Sequence, residues 1–548
     1  MRTNRERKGL RELGASNKPQ RIPPTAHQIS PTAVSETALE VVKTLTRAGH
    51  EAYLVGGCVR DLLLGRQPKD FDVATEAPPE RVRELFRRCR LIGRRFRLAH
   101  VRIGRDVIDV ATFRAPPQPG DDNGFDDSES SISEAGQITR DNVYGTIETD
   151  AVRRDFSINA LFYDPVDETV IDYVDGFQHL ERRELVSIGD PFERFREDPV
   201  RMLRAIRFSE SLGLAIPENV RDAILELGNL LHHVPPARML DEVLKLFHSG
   251  HAQQILVKLR EYSLFRFLFP FTEESFIDNE ISIAELGLRN TDERIQEDKP
   301  VIPAFLFACM LWEPMRADMD KLMENGASQH KALLTAMDDI LRDQSQYISI
   351  PKRIGFIVKD IWVLQGRLEY RSLKNVKTAL AHKRFRAAYD FLLLRREADE
   401  VASELVDWWT RIQEVGQDEQ DQMIKALNLR PQNHADVADN IGNSKVGSPR
   451  KGNGRANGRG NGSRARRRGE RPGESRRAEH KPGGQTEGRP GNGRRGNGKQ
   501  ADGRPTDGRQ ADGRQGDGKP SEGRPGKSIR HGRGGRNSRR RRRRNYAA

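Results

Sequence analysis

The composition of the chain changes abruptly after Asn443, and this change limits how much of the sequence can fold. From Lys445 to Ala548 there are 32 lysine and arginine residues, 9 aspartate and glutamate residues and one aromatic residue. A glycine- and arginine-rich segment of this kind cannot bury enough apolar surface to offset the conformational entropy lost on ordering. We therefore expect a disordered Arg/Gly-rich tail over 431–548 and a folded structure in the preceding part of the chain.

The same segment determines the sign of the net charge. The whole chain carries a formal net charge of +13, but the 444 residues before Lys445 contain 61 basic and 71 acidic side chains and carry −10. The part expected to fold is therefore mildly acidic. We expect the basic tail to bind RNA electrostatically, without sequence preference, with proteins of RNA turnover as alternative partners.

Hydrophobic periodicity divides the remaining sequence into two kinds of structure. Residues 36–190 alternate short apolar runs such as "AYLV", "DVIDVATFR" and "SINALFYDP" with helix-period segments, which predicts an α/β head. Beyond the head almost every apolar pattern has helical spacing, so we expect a helical neck over 191–260 and an all-α body over 261–430. We expect a flexible leader over 1–35 and a mobile loop in the acidic, serine-rich stretch 116–139.

The cysteines and the apolar runs indicate the compartment. Cys58, Cys89 and Cys309 show no CxxC spacing, which is typical of a reducing compartment and offers neither a disulfide framework nor a zinc ribbon. The longest apolar run, "VIPAFLFACMLW", is too short to span a membrane and contains a proline. We expect a cytoplasmic protein without a transmembrane segment.

Two carboxylates occupy alternate positions of a predicted strand. Asp70 and Asp72 flank Phe71 in "KDFDVAT". Successive strand side chains point to opposite faces, so the two carboxylates would share one face about 7 Å apart. Like charges on one face repel, and a bound cation would relieve the repulsion. The pair therefore predicts a site for two Mg²⁺ ions, with Mn²⁺ as an alternative ion, although a DxD pattern taken alone also fits a solvated acidic pair.

A glycine pair precedes these carboxylates. Gly56 and Gly57 follow the strand-like run "AYLV" and predict a sharp turn. Backbone amides at such a turn can approach the oxygens of a triphosphate, and Arg60 and Lys69 are nearby positive charges. Together with the carboxylate pair, the turn predicts a site for a metal-bound nucleoside triphosphate.

Four blocks in the head and neck carry a family resemblance. The chain resembles the nucleotidyltransferase family that includes class II tRNA CCA-adding enzymes and bacterial poly(A) polymerases. The matching blocks are "LVGGCVRDLLLG" with "KDFDVAT", "RRDFSINALFYDP" at 153–165, "DYVDGFQHLERRELVSIGDP" at 172–191 and "RFREDPVRMLRAIRF" at 194–208. The resemblance implies a nucleotidyltransferase head of the polymerase β type followed by an all-α neck and body.

The resemblance also implies roles for individual residues. Asp70 and Asp72 become the metal-binding carboxylates, and Asp155 becomes a further acid at the site. Arg153 and Arg154, which precede Asp155, would offset the charge of the triphosphate. The strand "DVIDVATFR" offers a competing third carboxylate, Asp109, because alternation could place it on a neighbouring strand facing the pair.

The last block is implied to read the base of the incoming nucleotide. Asp198 and Arg201 would bind its Watson–Crick edge, and their i, i+3 spacing would place them on one helical face. A helix terminus that favours acidic residues explains the same pattern without a nucleotide. Both interpretations are open from the sequence.

Three further segments indicate the branch of the family. "LIGRRFRLAHV" at 91–101, "ISIPKRIGFIVKDIWVLQGRL" at 348–368 and "HKRFRAAYDFLLLR" at 382–395 resemble bacterial poly(A) polymerases. This resemblance implies template-independent transfer of AMP from ATP to RNA 3′ ends with release of pyrophosphate, in RNA 3′-end processing and decay, with the helical body holding the RNA. The alternatives are a CCA-adding enzyme, which shares every head motif, and a non-catalytic RNA-binding scaffold.

Overall fold

The computed structural model describes residues 18–93, 97–115, 131–132, 138–140, 143–276 and 282–427. The predicted tail over 431–548, the first 17 residues of the predicted leader and most of the predicted mobile loop at 116–139 lie outside the described residues.

One eight-stranded sheet organises the head. Its strands follow the order β1-β10-β9-β2-β3-β6-β5-β4, and every neighbouring pair is antiparallel except β3 and β6, which are parallel. The strands are β1 (Gln20–Ile22), β2 (Ala52–Val55), β3 (Asp72–Thr75), β4 (Cys89–Ile92), β5 (Leu98–Ile103), β6 (Asp106–Thr112), β9 (Leu161–Asp164) and β10 (Thr169–Asp172). A separate two-stranded sheet pairs β7 (Ser131–Ile132) with β8 (Ile138–Arg140).

Two helices cover one face of this sheet. Helix α1 (Glu36–Arg47) buries Ala38, Val41, Val42 and Leu45, whose spacing forms a single apolar stripe, and it contacts β2, β3 and β6. Helix α3 (Pro79–Leu85) contacts β4, β5 and β6. This face holds the main core of the head.

The opposite face is covered over the central strands. Val55 of β2, Ala74 of β3 and Phe162 of β9 pack there against Ala151 and Val152. The last two belong to α4 (Ile147–Val152), which begins with a capping box formed by two threonines. Helix α2 (Gly57–Leu63) follows β2 directly, and α5 (Gly176–Glu181) follows β10.

The prediction of a flexible leader over 1–35 is wrong for residues 18–35. Residues Gln20–Ile22 form edge strand β1, which pairs with β10, and the side chains of Ile22, Ile29 and Val34 are buried. Burying these side chains provides the free energy that orders the segment against the sheet of the head.

The described residues beyond the head fold into helices, which confirms the predicted order of an α/β head followed by a helical part. The helices are α6 (Pro191–Glu197), α7 (Val200–Leu212), α8 (Glu218–Leu227), α9 (Pro236–Phe247), α10 (Ala252–Glu261), α11 (Phe265–Leu268), α12 (Pro270–Ser275), α13 (Ile283–Gln296), α14 (Pro303–Met310), α15 (Trp312–Glu324), α16 (Gln329–Gln344), α17 (Lys352–Glu369), α18 (Leu373–Leu380), α19 (Phe385–Glu397), α20 (Ser403–Glu414) and α21 (Gln417–Leu427). The boundaries between head, neck, body and tail stay predictions. Within the described parts of the chain, no helix combines the length and apolar character needed to cross a membrane.

Candidate active site

The predicted glycine turn lies at the end of the central strand β2. Gly56 adopts φ +77° and ψ −127°, a conformation that side chains strongly disfavour. A Cβ atom on Gly56 would also lie 3.2 Å from Nη1 of Arg154 and 3.7 Å from the carbonyl oxygen of Asn159. Glycine is therefore required here both for the backbone conformation and for the close approach of an arginine.

The carboxylates lie on the strand next to this turn. Strand β3 begins at Asp72, so Asp70 precedes the strand by two residues instead of lying within it. The alternation nevertheless holds, because Phe71 is buried while Asp70 and Asp72 are exposed. Asp72 pairs in register with Val55 on one side and with Asp109 of the parallel strand β6 on the other. Paired residues of neighbouring strands share a face, so Asp109 lies beside the Asp72 carboxylate.

The environment of Asp72 opposes its negative charge. Water reaches the carboxylate, but the surrounding protein desolvates it in part, and this desolvation together with the nearby charges of Asp109 and Asp70 raises the pKa of Asp72 to about 6. Arg154 opposes this rise. A carboxylate held beside two others is stabilised when a cation binds, because the cation offsets both the repulsion and the desolvation.

The donor set fits a divalent ion that shares its ligands with substrate. Carboxylate oxygens are the ligands that Mg²⁺ prefers, and Mg²⁺ keeps several coordination positions for water and phosphate oxygens. Over the described residues, no three histidine, cysteine, aspartate or glutamate side chains converge closely enough to enclose an ion by themselves. An ion at Asp70 and Asp72 would therefore depend on water and substrate phosphates for its remaining ligands.

Asp155 has a different environment from the carboxylate pair. Its Oδ2 accepts a hydrogen bond of 2.6 Å from Nε of Arg204, and its Oδ1 accepts hydrogen bonds from Asn159 Nδ2 and the backbone N–H of Phe156. Burial by itself would raise the pKa of Asp155, but Arg204 and these hydrogen bonds hold it below the usual range for aspartate. The structure thus places Asp155 in an ion pair behind the turn, whereas Asp109 lies in register with Asp72.

Arg153 and Arg154 share one buried carboxylate. Asp150, which is 2% exposed, accepts a hydrogen bond from Nε of Arg153 at 2.9 Å and from Nη2 of Arg154 at 2.8 Å. Burial opposes ionisation, but the two guanidinium groups more than compensate and lower the pKa of Asp150 to about 2. Nη1 of Arg154 also donates to the carbonyl oxygen of Asn159, beside Gly56. Arg154 therefore reaches the turn, and Asp150 holds it there.

The other two predicted phosphate ligands differ in exposure. Arg60 is 8% exposed, donates to Oδ1 of Asp61 and donates through Nη1 to Oδ1 of Asn159 at 2.7 Å. Its guanidinium also lies 5.1 Å from the centre of the Phe208 ring. Lys69, in contrast, is exposed. Arg60 is thus held within the protein next to the turn, whereas the Lys69 side chain is open to solvent.

The predicted common helical face of Asp198 and Arg201 is wrong. Asp198 has an extended backbone at the end of α6, whereas Arg201 lies in the first turn of α7, because Pro199 separates the two helices. Oδ2 of Asp198 accepts a hydrogen bond of 2.6 Å from Arg238. Arg201 donates to Oε2 of Glu197 and to the backbone carbonyl oxygen of Arg194, both at 2.8 Å.

These contacts form a paired arginine cluster, in which Arg194, Arg204 and Arg238 join four arginines that the sequence had already predicted at the site. Each of its arginines donates to a carboxylate in the head or the neck: Arg60, Arg153, Arg154, Arg194, Arg201, Arg204 and Arg238. Arg204 and Arg207 also lie over the face of Phe208, at 5.1 and 4.6 Å. The i, i+3 spacing of Arg201, Arg204 and Arg207 was a signal in the sequence that one helix presents several guanidinium groups together.

Family comparisons agree with this architecture. Residues 52–186 match the family of the poly A polymerase head domain. Residues 213–276 match the probable RNA and SrmB-binding site of polymerase A, and residues 325–470 match the polymerase A arginine-rich C-terminus.

Curated relatives decide between the branches of the family. The chain is 46% identical to poly(A) polymerase I of Escherichia coli O157:H7 over 417 residues, which cover 75% of this chain and 89% of the relative. The corresponding protein of Haemophilus influenzae is 44% identical over 404 residues, covering 72% and 88%. The chain belongs to the poly(A) polymerase family.

CCA-adding enzymes are more distant relatives. That of Geobacillus kaustophilus is 37% identical over 233 residues, which cover 42% of this chain and 54% of the relative. The solved structure of the Bacillus stearothermophilus CCA-adding enzyme in complex with CTP covers 68% of this chain and 80% of its own, with 25% identity and a TM-score of 0.46. Membership of the poly(A) polymerase family makes the chain a nucleotidyltransferase, so the prediction of an enzyme is confirmed and the alternative of a non-catalytic scaffold is wrong.

Proposed function

We propose that this chain transfers AMP units from ATP to RNA 3′ ends without a nucleic-acid template and releases pyrophosphate. The observation that carries the proposal is the pairing of Asp72 with Asp109 beside the Gly56 turn, with Arg154 against that turn. This arrangement combines hard oxygen ligands, a backbone that can approach phosphates and a fixed positive charge. Similarity to poly(A) polymerases over three quarters of the chain supports ATP and RNA as the substrates.

The carboxylates would hold the divalent ions. Asp70 and Asp72 would bind Mg²⁺, or Mn²⁺, and Asp109 is the third carboxylate near enough to act on Asp72. The bound ions would lower the pKa of the RNA 3′-hydroxyl and offset charge on the pyrophosphate. The role of the chain is to keep the three carboxylates on one face, with Asp72 and Asp109 on paired strands, so that little reorganisation is needed when substrate binds.

The turn and its neighbouring cations receive the triphosphate. Gly56 and Gly57 leave the backbone open to phosphate oxygens, and Arg154 supplies a guanidinium group that Asp150 already orients. Arg153 and Arg60, which are held by protein partners, add positive charge near the turn. Exposed Lys69 adds a further positive charge on the solvent side. Orientation by carboxylates lowers the entropy lost when these arginines contact phosphate.

Asp155 acts through Arg204 in this proposal. Its carboxylate already accepts three hydrogen bonds and its pKa is lowered, so it is a poor proton acceptor at neutral pH. We assign it a positioning role. It joins the segment that carries Arg153 and Arg154 to helix α7 of the neck, and so keeps the triphosphate cations in place.

Base recognition by Asp198 and Arg201 rests on the family resemblance. Both side chains have protein partners in this structure, Arg238 and Glu197 respectively. Reading an adenine edge would require Arg201 to exchange its hydrogen bond with Glu197 for one with the base. The free energy of that exchange is small when one charge-assisted hydrogen bond replaces another, so the site can discriminate between bases without a large loss of stability.

RNA would contact the neck, the body and the basic tail, and the product would enter RNA processing and decay in the cytoplasm. Deleting residues 445–548, which changes the formal charge from +13 to −10, should weaken RNA binding at low salt and flatten its salt dependence while leaving the KM for ATP unchanged. Equal salt slopes for the two chains would instead favour a docking role for the tail, with turnover proteins as its partners.

The activity is tested by offering ATP, CTP, GTP and UTP separately to the purified chain with a generic RNA primer. We expect repeated incorporation of AMP and little of the other nucleotides. An Asp72→Asn preparation made in parallel controls for contaminating polymerases. Selective addition of CMP to a tRNA that lacks its terminal CCA would contradict the proposal and favour the CCA-adding alternative.

A further inference from the structure

The carboxylate face of the sheet continues beyond the catalytic strands. Register places Asp72 opposite Asp109, Asp109 opposite His100 of β5, and His100 opposite Arg90 of edge strand β4. Since paired residues share a face, this row runs without interruption from the proposed metal site to the edge of the sheet. Nε2 of His100 lies 3.0 Å from Oδ1 of Asp109, so these two members of the row are also in side-chain contact.

Among the described residues, helices α1 and α3 lie against the other face of these outer strands. Ala99 and Val101 of β5 are buried in the main core, whereas the intervening Arg102 is exposed. Val107 of β6 lies opposite Arg102 in the register and is 49% exposed. Within the described parts of the chain, the outer strands therefore present a largely exposed face, here called the open face, formed by Arg88, Arg90, His100, Arg102 and Val107.

The open face carries the positive charge of three arginines. The backbone N–H of Arg102 donates to the carbonyl oxygen of Arg88, which continues the antiparallel register and places these two arginines opposite each other. Within the described residues, the side chains of Arg88, Arg90 and Arg102 make no hydrogen bond or ion pair. Like charges directly opposite each other on a sheet destabilise it unless an anion lies between them.

The direction of phosphoryl transfer shows which anion fits. The attacking and leaving oxygens lie roughly in line on opposite sides of the transferred phosphorus. The triphosphate would lie at the Gly56 turn, at the end of β2, so the leaving pyrophosphate is on the β2 side of Asp72. The attacking 3′-oxygen must then approach from the β6 side, and the RNA strand that carries it would extend over β5 and β4.

We propose that the open face binds the last phosphodiester groups of the RNA primer, through Arg90 and Arg102. This inference rests on the proposed function. Neighbouring strands are about 4.8 Å apart, so Arg90 is roughly 10 Å from Asp109. Consecutive stacked nucleotides advance about 3.4 Å, so this interval matches about three nucleotides. Val107, which lies opposite Arg102 on the β6 side, offers an apolar contact for a ribose or base.

The first test compares two double variants of the full-length chain. Arg90→Ala with Arg102→Ala removes the proposed contacts. Arg47→Ala with Arg83→Ala removes the same charge from exposed positions of α1 and α3, which pack on the opposite face. The first variant should raise the KM for a short oligoadenylate about tenfold or more and leave the KM for ATP and kcat at saturating primer unchanged. The second should change none of these quantities.

Conservative variants and altered primers locate the contact. Arg90→Lys with Arg102→Lys should recover most of the affinity, because the phosphate contacts need mainly positive charge. A neutral methylphosphonate at one of the last three linkages should weaken primer binding to the wild-type chain, and should weaken it little further in the Arg90→Ala, Arg102→Ala variant. A methylphosphonate near the 5′ end is the matched control. An acidic protein as the natural occupant would leave all of these primer measurements equal between variants.

The outcomes separate this inference from the proposed function. Primer binding is measured by fluorescence anisotropy without ATP, and AMP transfer is measured separately. If the wild-type chain transfers AMP to RNA but the two double variants bind primer equally, only the open-face site is overturned. If the wild-type chain transfers no AMP, the proposed function fails whatever the binding shows. Equal effects of methylphosphonates at the 3′ and 5′ ends would also overturn the site, because they would show that the primer binds without a fixed position for its 3′ end.

Discussion

The arginines of the head and neck occupy two contrasting environments. In the paired arginine cluster each guanidinium group donates to a carboxylate, as Arg154 does to Asp150 and Arg204 does to Asp155. On the open face Arg88, Arg90 and Arg102 point to solvent, without side-chain partners among the described residues. These two environments correspond to two different uses of an arginine near a site. A paired arginine is fixed and shapes the site, whereas an unpaired one retains its charge for a ligand.

The largest effect on AMP transfer should come from the carboxylates, which lie between the paired arginine cluster and the open face. Asp72→Asn removes a proposed metal ligand but keeps the size of the side chain. We expect AMP transfer to fall by about three orders of magnitude or more, comparable with losing a preorganised electrostatic contact to the transition state. Asp109→Asn, tested beside it, measures how far the third carboxylate shares this role. Near-normal turnover of Asp72→Asn at saturating Mg²⁺ would contradict the assignment of the metal site.

The next effect is on the free energy of unfolding, which should change much more in the paired arginine cluster than on the open face. Asp155→Ala leaves Arg204 without its carboxylate, and we expect the free energy of unfolding to fall by about 3 kcal/mol, the lower end for breaking a buried ion pair. The lower end applies because the Arg204 side chain is 29% exposed. Urea denaturation would measure it. Arg90→Ala with Arg102→Ala should change the same free energy by no more than about 0.5 kcal/mol, since neither side chain has a partner to lose among the residues that the structure describes. Similar losses in both variants would remove the distinction between the regions.

The preference for ATP over CTP tests one member of the paired arginine cluster, Arg201. Arg201→Ala should reduce the preference for ATP over CTP by roughly tenfold, the value of one lost charge-assisted hydrogen bond, with a smaller effect on triphosphate binding. Glu197→Gln is the matched control, because it weakens the ion pair of Arg201 but keeps the arginine. Steady-state kinetics with both nucleotides decide the point. If both variants keep the wild-type preference, Arg201 joins α6 to α7 and does not read the base.

The smallest effect concerns pH and needs no substrate. The pKa of Asp72 is raised from 3.8 in a free side chain to about 6 in the metal-free protein, so protonation favours the folded state. The resulting stabilisation is complete below pH 3.8 and is lost as the pH rises through about 6. With EDTA present, we expect the Tm of Asp72→Asn to exceed that of the wild type above pH 6, and the difference to shrink towards pH 4. Mg²⁺ should reduce the difference at pH 7.5, and a difference that is independent of pH would contradict the raised pKa.

Local pattern was enough to predict much of the site. The run "AYLV" predicted β2, the glycine pair predicted the turn with its positive φ, and alternation around Phe71 predicted that Asp70 and Asp72 share a face. These features depend on backbone sterics and on the period of a strand, which act within a few residues. The order of an α/β head and a helical part followed from periodicity in the same way. Burial of Ile22 and Ile29 was missed, because two isolated apolar side chains in a polar stretch form no periodic pattern.

Which residues of the site have partners depends on the tertiary structure. Asp155 and Arg204 are 49 positions apart, and Arg60 and Asn159 are 99 apart. No local rule links such positions, so Asp155 could be predicted at the site but not as the partner of an arginine. The choice of Asp109 as the neighbour of Asp72 and the continuation of that row to Arg90 depend on strand order and register in the same way. Composition and hydrophobic periodicity determined which secondary structure each segment can form. The pairing of segments over long distances determined which charges are neutralised and which remain for a ligand, because a charge in a partly desolvated site is set by its nearest neighbours in space and not by those in sequence.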